Sequence, residues 1–317
     1  MKLRLVTGMV LLSIFLGASS FAQRAVKRPP RAAPPTFQPN EFSGVFFSDP
    51  LSQLQGEMPD SQIASAAIAS EAGNTLADSS ESDGETVGND VWKSLISGSS
   101  IEDLVKESKT RLDAVVTTPA KFAGGGVVDA RREFTLLAST MGVIAQYPDE
   151  IRWQSSASYA QRIFARMAAN CKVGTQPVFN EAKQRQQDLE TLLKGSKISG
   201  TAEEASWSDT ADHGPAMQIL EWALRENLMP STSNEKKFQA SKEEVLKYSE
   251  LIAMFGQIIQ LPGMNNADDE TYVQNANAMT KAAQEVSKAS RLGDADLARS
   301  SVSRIDQACN KCHESYR

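Results

Sequence analysis

The residues whose spacing could do chemistry stand at the end of the 317-residue sequence, in the run Cys309-Asn310-Lys311-Cys312-His313. Two thiols three positions apart on a helix project from one face, about one turn from each other. At that separation both can add across the two vinyl groups of one porphyrin. The next residue is a histidine, whose imidazole can reach the iron axially while the thioethers hold the ring edge. The pattern predicts one covalently attached haem c, with Cys309 and Cys312 as thioether positions and His313 as the proximal ligand. Zinc competes poorly, because it wants four ligands and only Cys171 and His213 remain as further Cys or His donors. A thioredoxin-like dithiol would open a helix after a strand, and no strand pattern precedes this one.

Covalent haem attachment takes place outside the cytoplasmic membrane, so the motif calls for an export signal. The sequence begins with one: Lys2 and Arg4 precede the apolar run Val10 to Leu16, then the small residues Gly17 to Ser20. Ser20-Phe21-Ala22 suits cleavage after Ala22, which gives a signal peptide over 1–22 and a mature chain that does not span the membrane. The expected localisation is periplasmic or otherwise exported. The formal net charge is −6, and loss of Lys2 and Arg4 makes it two units more negative. Nucleic acid is excluded as a natural partner, and a basic redox partner protein would be favoured at encounter.

The elements that must position the motif lie downstream of a long spacer. Residues 23–40 place Arg24, Lys27, Arg28 and Arg31 among five prolines, and 41–90 contain no Lys or Arg while acidic residues collect among Ser, Gly and Ala. Both compositions resist folding, so 23–90 is expected to be a disordered linker. Within it, Val45-Phe46-Phe47 forms an apolar patch. From Trp92 onward apolar residues recur at three- and four-residue spacing, interrupted by Pro, Gly, Asn and Asp, which predicts an all-α chain.

This helical region matches itself at a shift of roughly 115 residues. Trp92 falls on Trp207, Phe122 on Phe238, Met141-Gly142 on Phe255-Gly256, Gln146-Tyr147-Pro148 on Gln260-Leu261-Pro262, and Tyr159 on Tyr272. Gly174 falls near Gly293. The expected architecture is two tandem four-helix bundles, 91–200 and 201–317. In the second, helices are expected near 216–228, 235–260, 269–290 and from 295 to the end, with stops at Met229-Pro230, Pro262-Gly263 and Gly293-Asp294. The expected apolar stripes run Met217, Leu220, Leu224, Leu228 on the first of these helices, Val245, Ile252, Phe255, Ile259 on the second and Tyr272, Met279, Ala283, Val286 on the third. That of the last runs Val302, Ile305, Cys309, Cys312, Tyr316, so the attachment motif lies on the core face.

A four-helix unit with its haem motif in the last helix, closing on Cys-x-x-Cys-His-x-x-Tyr-Arg (Cys309 through Arg317), resembles the class II c-type cytochromes, the cytochrome c prime group. The resemblance spans about Trp207 to Arg317. It implies that the distal position lies in the first helix of the unit, where low-spin members place a Met and high-spin members leave iron five-coordinate. Met217 is the matching distal candidate, on the stripe with Leu220 and Leu224. His213, one turn earlier, is the second candidate. Arg317 matches the terminal arginine and would contact a haem propionate.

In the first unit the same register puts Glu190, Leu193 and Lys194 opposite Cys309, Cys312 and His313, and Ile101 opposite Met217, so one haem per chain is expected. Cys171 follows Ile163 and Met167 at four-residue steps and reads as a buried thiol. The expected function is electron transfer. The alternatives are a gas-binding module with five-coordinate iron that takes NO or CO, and an assembly protein with a structural haem. With two histidines in the whole chain, no histidine-based catalytic centre is expected and the protein is not read as an enzyme. Homo-oligomerisation stays open at this point.

Overall fold

A computed structural model describes residues 90–201 and 205–316, and among these every regular element is helical. The signal peptide expected over 1–22, all but the last residue of the linker expected over 23–90, and Arg317 lie outside the described residues. The first series of helices comprises α1 (Asp90–Leu95), α2 (Gly98–Val115), the short α3 (Pro119–Lys121), α4 (Val127–Ala145), α5 (Gln154–Asn170) and α6 (Gln176–Leu193). The second comprises α7 (Trp207–Thr210), α8 (His213–Trp222), α9 (Met229–Ser231), α10 (Glu235–Ala240), α11 (Lys242–Ile258), α12 (Glu270–Leu292) and α13 (Ala295–His313). Each series ends in three long helices, α4 to α6 in the first and α11 to α13 in the second.

Local chemistry fixes the ends of these elements. The Ser97 hydroxyl accepts from the Ser100 N–H to open α2, Asp269 accepts from the Thr271 and Tyr272 N–H groups to open α12, and Asp294 accepts from Leu297 N–H to open α13. Between α12 and α13, Gly293 takes φ 73, a left-handed cap that costs glycine little. The helix expected over 216–228 is longer than its composition suggested. It starts at His213, passes through a π-helical turn at Ala223–Leu228, and continues across Pro230, which falls in the first turn of α9 where a missing N–H is tolerated. The helix expected over 235–260 is broken at Ser241, whose φ −124 and ψ 23 leave the helical region.

The stripes read from the sequence do face inward: Leu220, Leu224, Ile252, Phe255, Met279, Val286, Val302 and Ile305 are all buried. Within the second series α11 packs on α12 and α12 on α13, and within the first α4 packs on α5. The series also pack on each other, α2 against α11 and α4 against α8, so a single apolar core in one compact unit runs through both. The all-α expectation holds, whereas this shared core does not by itself delimit two separate bundles. Among the described residues no helix is long and apolar enough to cross a membrane.

Candidate functional site

The apolar stripe of α13 continues into the motif. Ala298, Val302 and Ile305 are buried, and the next positions at that spacing, Cys309 and Cys312, are half-buried. His313, the last residue of α13, is exposed. Cys309, Cys312 and His313 border a cavity of about 350 Å³, within the size range of cofactor pockets. Its opposite wall is α8, which brings His213, Met217 and Leu220 to it. All five residues nominated as thioether or axial positions therefore line one cavity.

Burial around the cavity follows a pattern. Met217, Cys309, Cys312 and Tyr316 belong to otherwise buried stripes but are only half-covered. A flat apolar group in the cavity would complete their burial. The walls also hold polar atoms without partners. The Tyr272 hydroxyl and His213 Nδ1 are buried and make no hydrogen bond, and Tyr272 is 1% exposed. An unsatisfied buried hydroxyl costs about 1–3 kcal/mol, so a polar partner in the cavity would be stabilising. Size, apolar walls, paired thiols and an imidazole together fit haem c.

The ionisation of the site suits that chemistry. Burial pushes the Cys309 thiol up to about 11, with the nearby Asp306 adding to the effect and Arg225 opposing it. Burial also raises Cys312. Both sulfurs thus carry their protons at neutral pH, and Cys309 Sγ lies 3.8 Å from Met279 Sδ. His213 is held below the ordinary imidazole value by burial, with Asp212 opposing and His313 reinforcing the shift. It is neutral at pH 7 and keeps a lone pair.

Polar contacts on both sides of the motif hold the end of α13 in place. Arg225, on the π-helical turn, pairs with Asp306 at 2.6 Å. Beyond His313 the Ser315 and Tyr316 N–H groups donate to the Cys312 carbonyl, and the Tyr316 hydroxyl donates to Asp269, which caps α12. Sequence reasoning placed Tyr272 and Met279 on an apolar stripe and missed their position at the cavity wall. The available signal was the hydroxyl of Tyr272, since a tyrosine at a core position needs a partner for its oxygen.

In the first series the corresponding positions pack or pair instead. Ile101 is buried, Leu193 is partly buried, and Glu190 and Lys194 form an exposed ion pair at 2.6 Å. Leu189 and Leu192 are buried along α6, and the Trp153 indole N–H donates to the Leu192 carbonyl at 2.8 Å. Cys171 is buried beside the end of α5, and desolvation pushes its thiol up to about 12, followed by the influence of Glu181. It is a packed thiol, as its spacing suggested.

Residues 266–317 match the family model described as Cytochrome C'. The match takes in α12 and α13 with the whole attachment motif, and leaves α8 and α11 outside it. No curated protein and no solved structure matches the chain.

Proposed function

From the premise that the C-terminal region is cytochrome c prime-like, we propose that this chain is an exported mono-haem c-type cytochrome acting in electron transfer. Its haem unit would occupy 201–317, and 91–200 would be a unit without haem. The observation that carries the proposal is the convergence of Cys309, Cys312, His313, Met217 and His213 on one cavity.

Haem c, when bound, supplies one-electron exchange between ferric and ferrous iron. Cys309 and Cys312 would hold the haem covalently as thioethers formed with its vinyl groups, His313 would offer an imidazole to the iron and Met217 a thioether, and Leu220, Leu224 and Ile259 would shield the group from water. A His/Met pair saturates the iron and raises its potential relative to His/His, which suits a carrier. The acidic net charge favours a basic redox partner.

A second reading, binding of NO or CO at five-coordinate iron, draws its support from the unpartnered Tyr272 hydroxyl and His213 Nδ1. Both could hydrogen-bond a polar ligand. Absorption spectra of the purified protein, oxidised, reduced, and reduced under CO, separate the two. Electron transfer through Met217 predicts a low-spin spectrum that CO leaves unchanged. A CO-shifted high-spin spectrum would select the gas-binding reading, and haem extractable by acidified organic solvent would reject covalent attachment altogether.

A further inference from the structure

We infer that the face of the haem-bearing half formed by α8 and α11 is a subunit-type interface, and that its partner is the haem-less half of the same chain, standing where a second copy would stand. The inference is independent of whether haem is bound.

An isologous interface has a recognisable geometry. Patch i of one copy meets patch j of the other, j meets i, and only residues on the two-fold axis meet their own counterparts. The packing between the series has that form. α2, the second helix of the first series, lies against α11, and α8, the second helix of the second series, lies against α4. The short opening helices are exchanged in the same way, α1 packing on α11 and α7 on α4 and α5. Trp92 and Trp207 superpose in the sequence repeat, and their rings meet 5.5 Å apart. A residue that touches its own repeat counterpart marks the axis.

The polar contacts obey the same exchange. Ser97 precedes α2 and Asp212 precedes α8, separated by the same 115-residue shift as the tryptophans. Ser97 reaches α11, donating its N–H and hydroxyl to Glu250 at 3.1 and 2.7 Å. Asp212 reaches α4, pairing with Arg131. On either side of the axis, Glu107 of α2 pairs with Lys247 and accepts from the Tyr248 hydroxyl of α11, while Arg132 of α4 stacks over Trp222 of α8, 5.4 Å from the ring centre. Close approach is built in as well. A Cβ on Gly142 of α4 would lie 2.9 Å from the Trp207 ring.

The residues exchanged are not identical, and this makes the pairing heterotypic. Arg131 faces Asp212, Lys247 faces Glu107, and Glu250 faces Ser97. In the register of the repeat Asp212 corresponds to Ser97, so a second copy of the haem-bearing half would set Asp212 against Glu250, carboxylate on carboxylate, which disfavours its self-association relative to pairing in cis. The haem-less half thus keeps this face of the haem-bearing half covered, and docking of other proteins is left to the remaining faces.

The test uses the full chain with peptide-resolved hydrogen exchange and mass by light scattering. The chain should be a monomer at micromolar concentration, with α2, α4, α11 and α12 opening together. Glu107→Lys lies in the haem-less half, yet it should accelerate exchange in α11 and α12 about tenfold alongside α2, in line with coupling between residues that share a network. Adding Lys247→Glu should restore most of the protection. Should Glu107→Lys fold poorly, Tyr248→Phe removes one bond to the same carboxylate and should speed α2 and α11 together by a smaller factor. Exchange that accelerates in one half only, or no rescue by the double reversal, would overturn the inference. So would a wild-type dimer that protects α8 and α11 only on association.

Discussion

The rings of Tyr272 and Tyr316 lie 5.4 Å apart at 80°, edge to face, and join the first turn of α12 to the turn that follows His313. The Tyr316 hydroxyl also donates to Asp269, the residue that caps α12. The histidine is therefore held between the end of its own helix and a clasp on the neighbouring one.

That clasp should be acid-labile. Asp269 is held below the usual carboxylate value, first by the Tyr316 hydroxyl and then by the Tyr272 N–H. A carboxyl with a depressed folded value adds stability that is complete above its unfolded value and is lost as pH falls through the folded one. The turn at 314–316 should stay docked at neutral pH and release only below the ordinary carboxylate range. Hydrogen exchange of the C-terminal peptide against pH should show release below about pH 4, and Asp269→Asn should flatten that dependence. Release between pH 6 and 8 would contradict this origin.

Tyr272→Phe removes a buried hydroxyl without a protein partner. In the apoprotein the substitution should stabilise by about 1 kcal/mol, because only an unmet desolvation cost disappears. In the haem-loaded protein the gain should shrink or reverse, if the occupant supplies the missing partner. Thermal melts of both forms measure the difference, and equal gains in both would show that the hydroxyl faces no polar group in either.

Met217 is half-buried at the cavity wall. Met217→Ala should convert a low-spin haem to a high-spin, CO-reactive one, while costing the fold roughly 1–2 kcal/mol, less than the 2–5 typical of a fully buried methionine. The spectrum reads the first effect and denaturant titration the second. An unchanged spin state would move the distal role to His213, and His213→Ala would then produce the high-spin form.

The motif, its helix and the inward face of that helix were legible because local spacing sets all three: Val302, Ile305, Cys309 and Cys312 share a stripe whatever packs on them. Met217 was legible as a wall residue by the same rule. Interruptions were read less well. Pro230 looked like a stop, and the π-helical turn before it, which lets the helix run on, has no simple sequence signature. The cavity role of Tyr272 and the packing of α2 on α11 depend on which helices meet, and periodicity along one helix carries no information on its neighbours. Arg225 illustrates the limit: nothing local announces its pairing with Asp306 across the bundle.

Trp153 gives a sharp test of how the first series of helices is packed. It takes φ 69, and the position 113 residues on, the same shift that relates Tyr159 to Tyr272, is Asn266 at φ 61. Asparagine accepts this left-handed conformation readily, whereas a bulky residue there is strained by roughly 1–2 kcal/mol. The strain persists because the indole is buried and donates to the Leu192 carbonyl on α6, the helix corresponding in order to α13. Removing a buried tryptophan costs about 3–5 kcal/mol, so packing outweighs strain. Trp153→Asn should relieve the backbone but lose the packing, for a net destabilisation of about 2–3 kcal/mol by denaturant titration. The haem spectrum of the folded variant should not change. A variant as stable as the wild type would mean that the buried Trp153 side chain contributes no net packing to the first series.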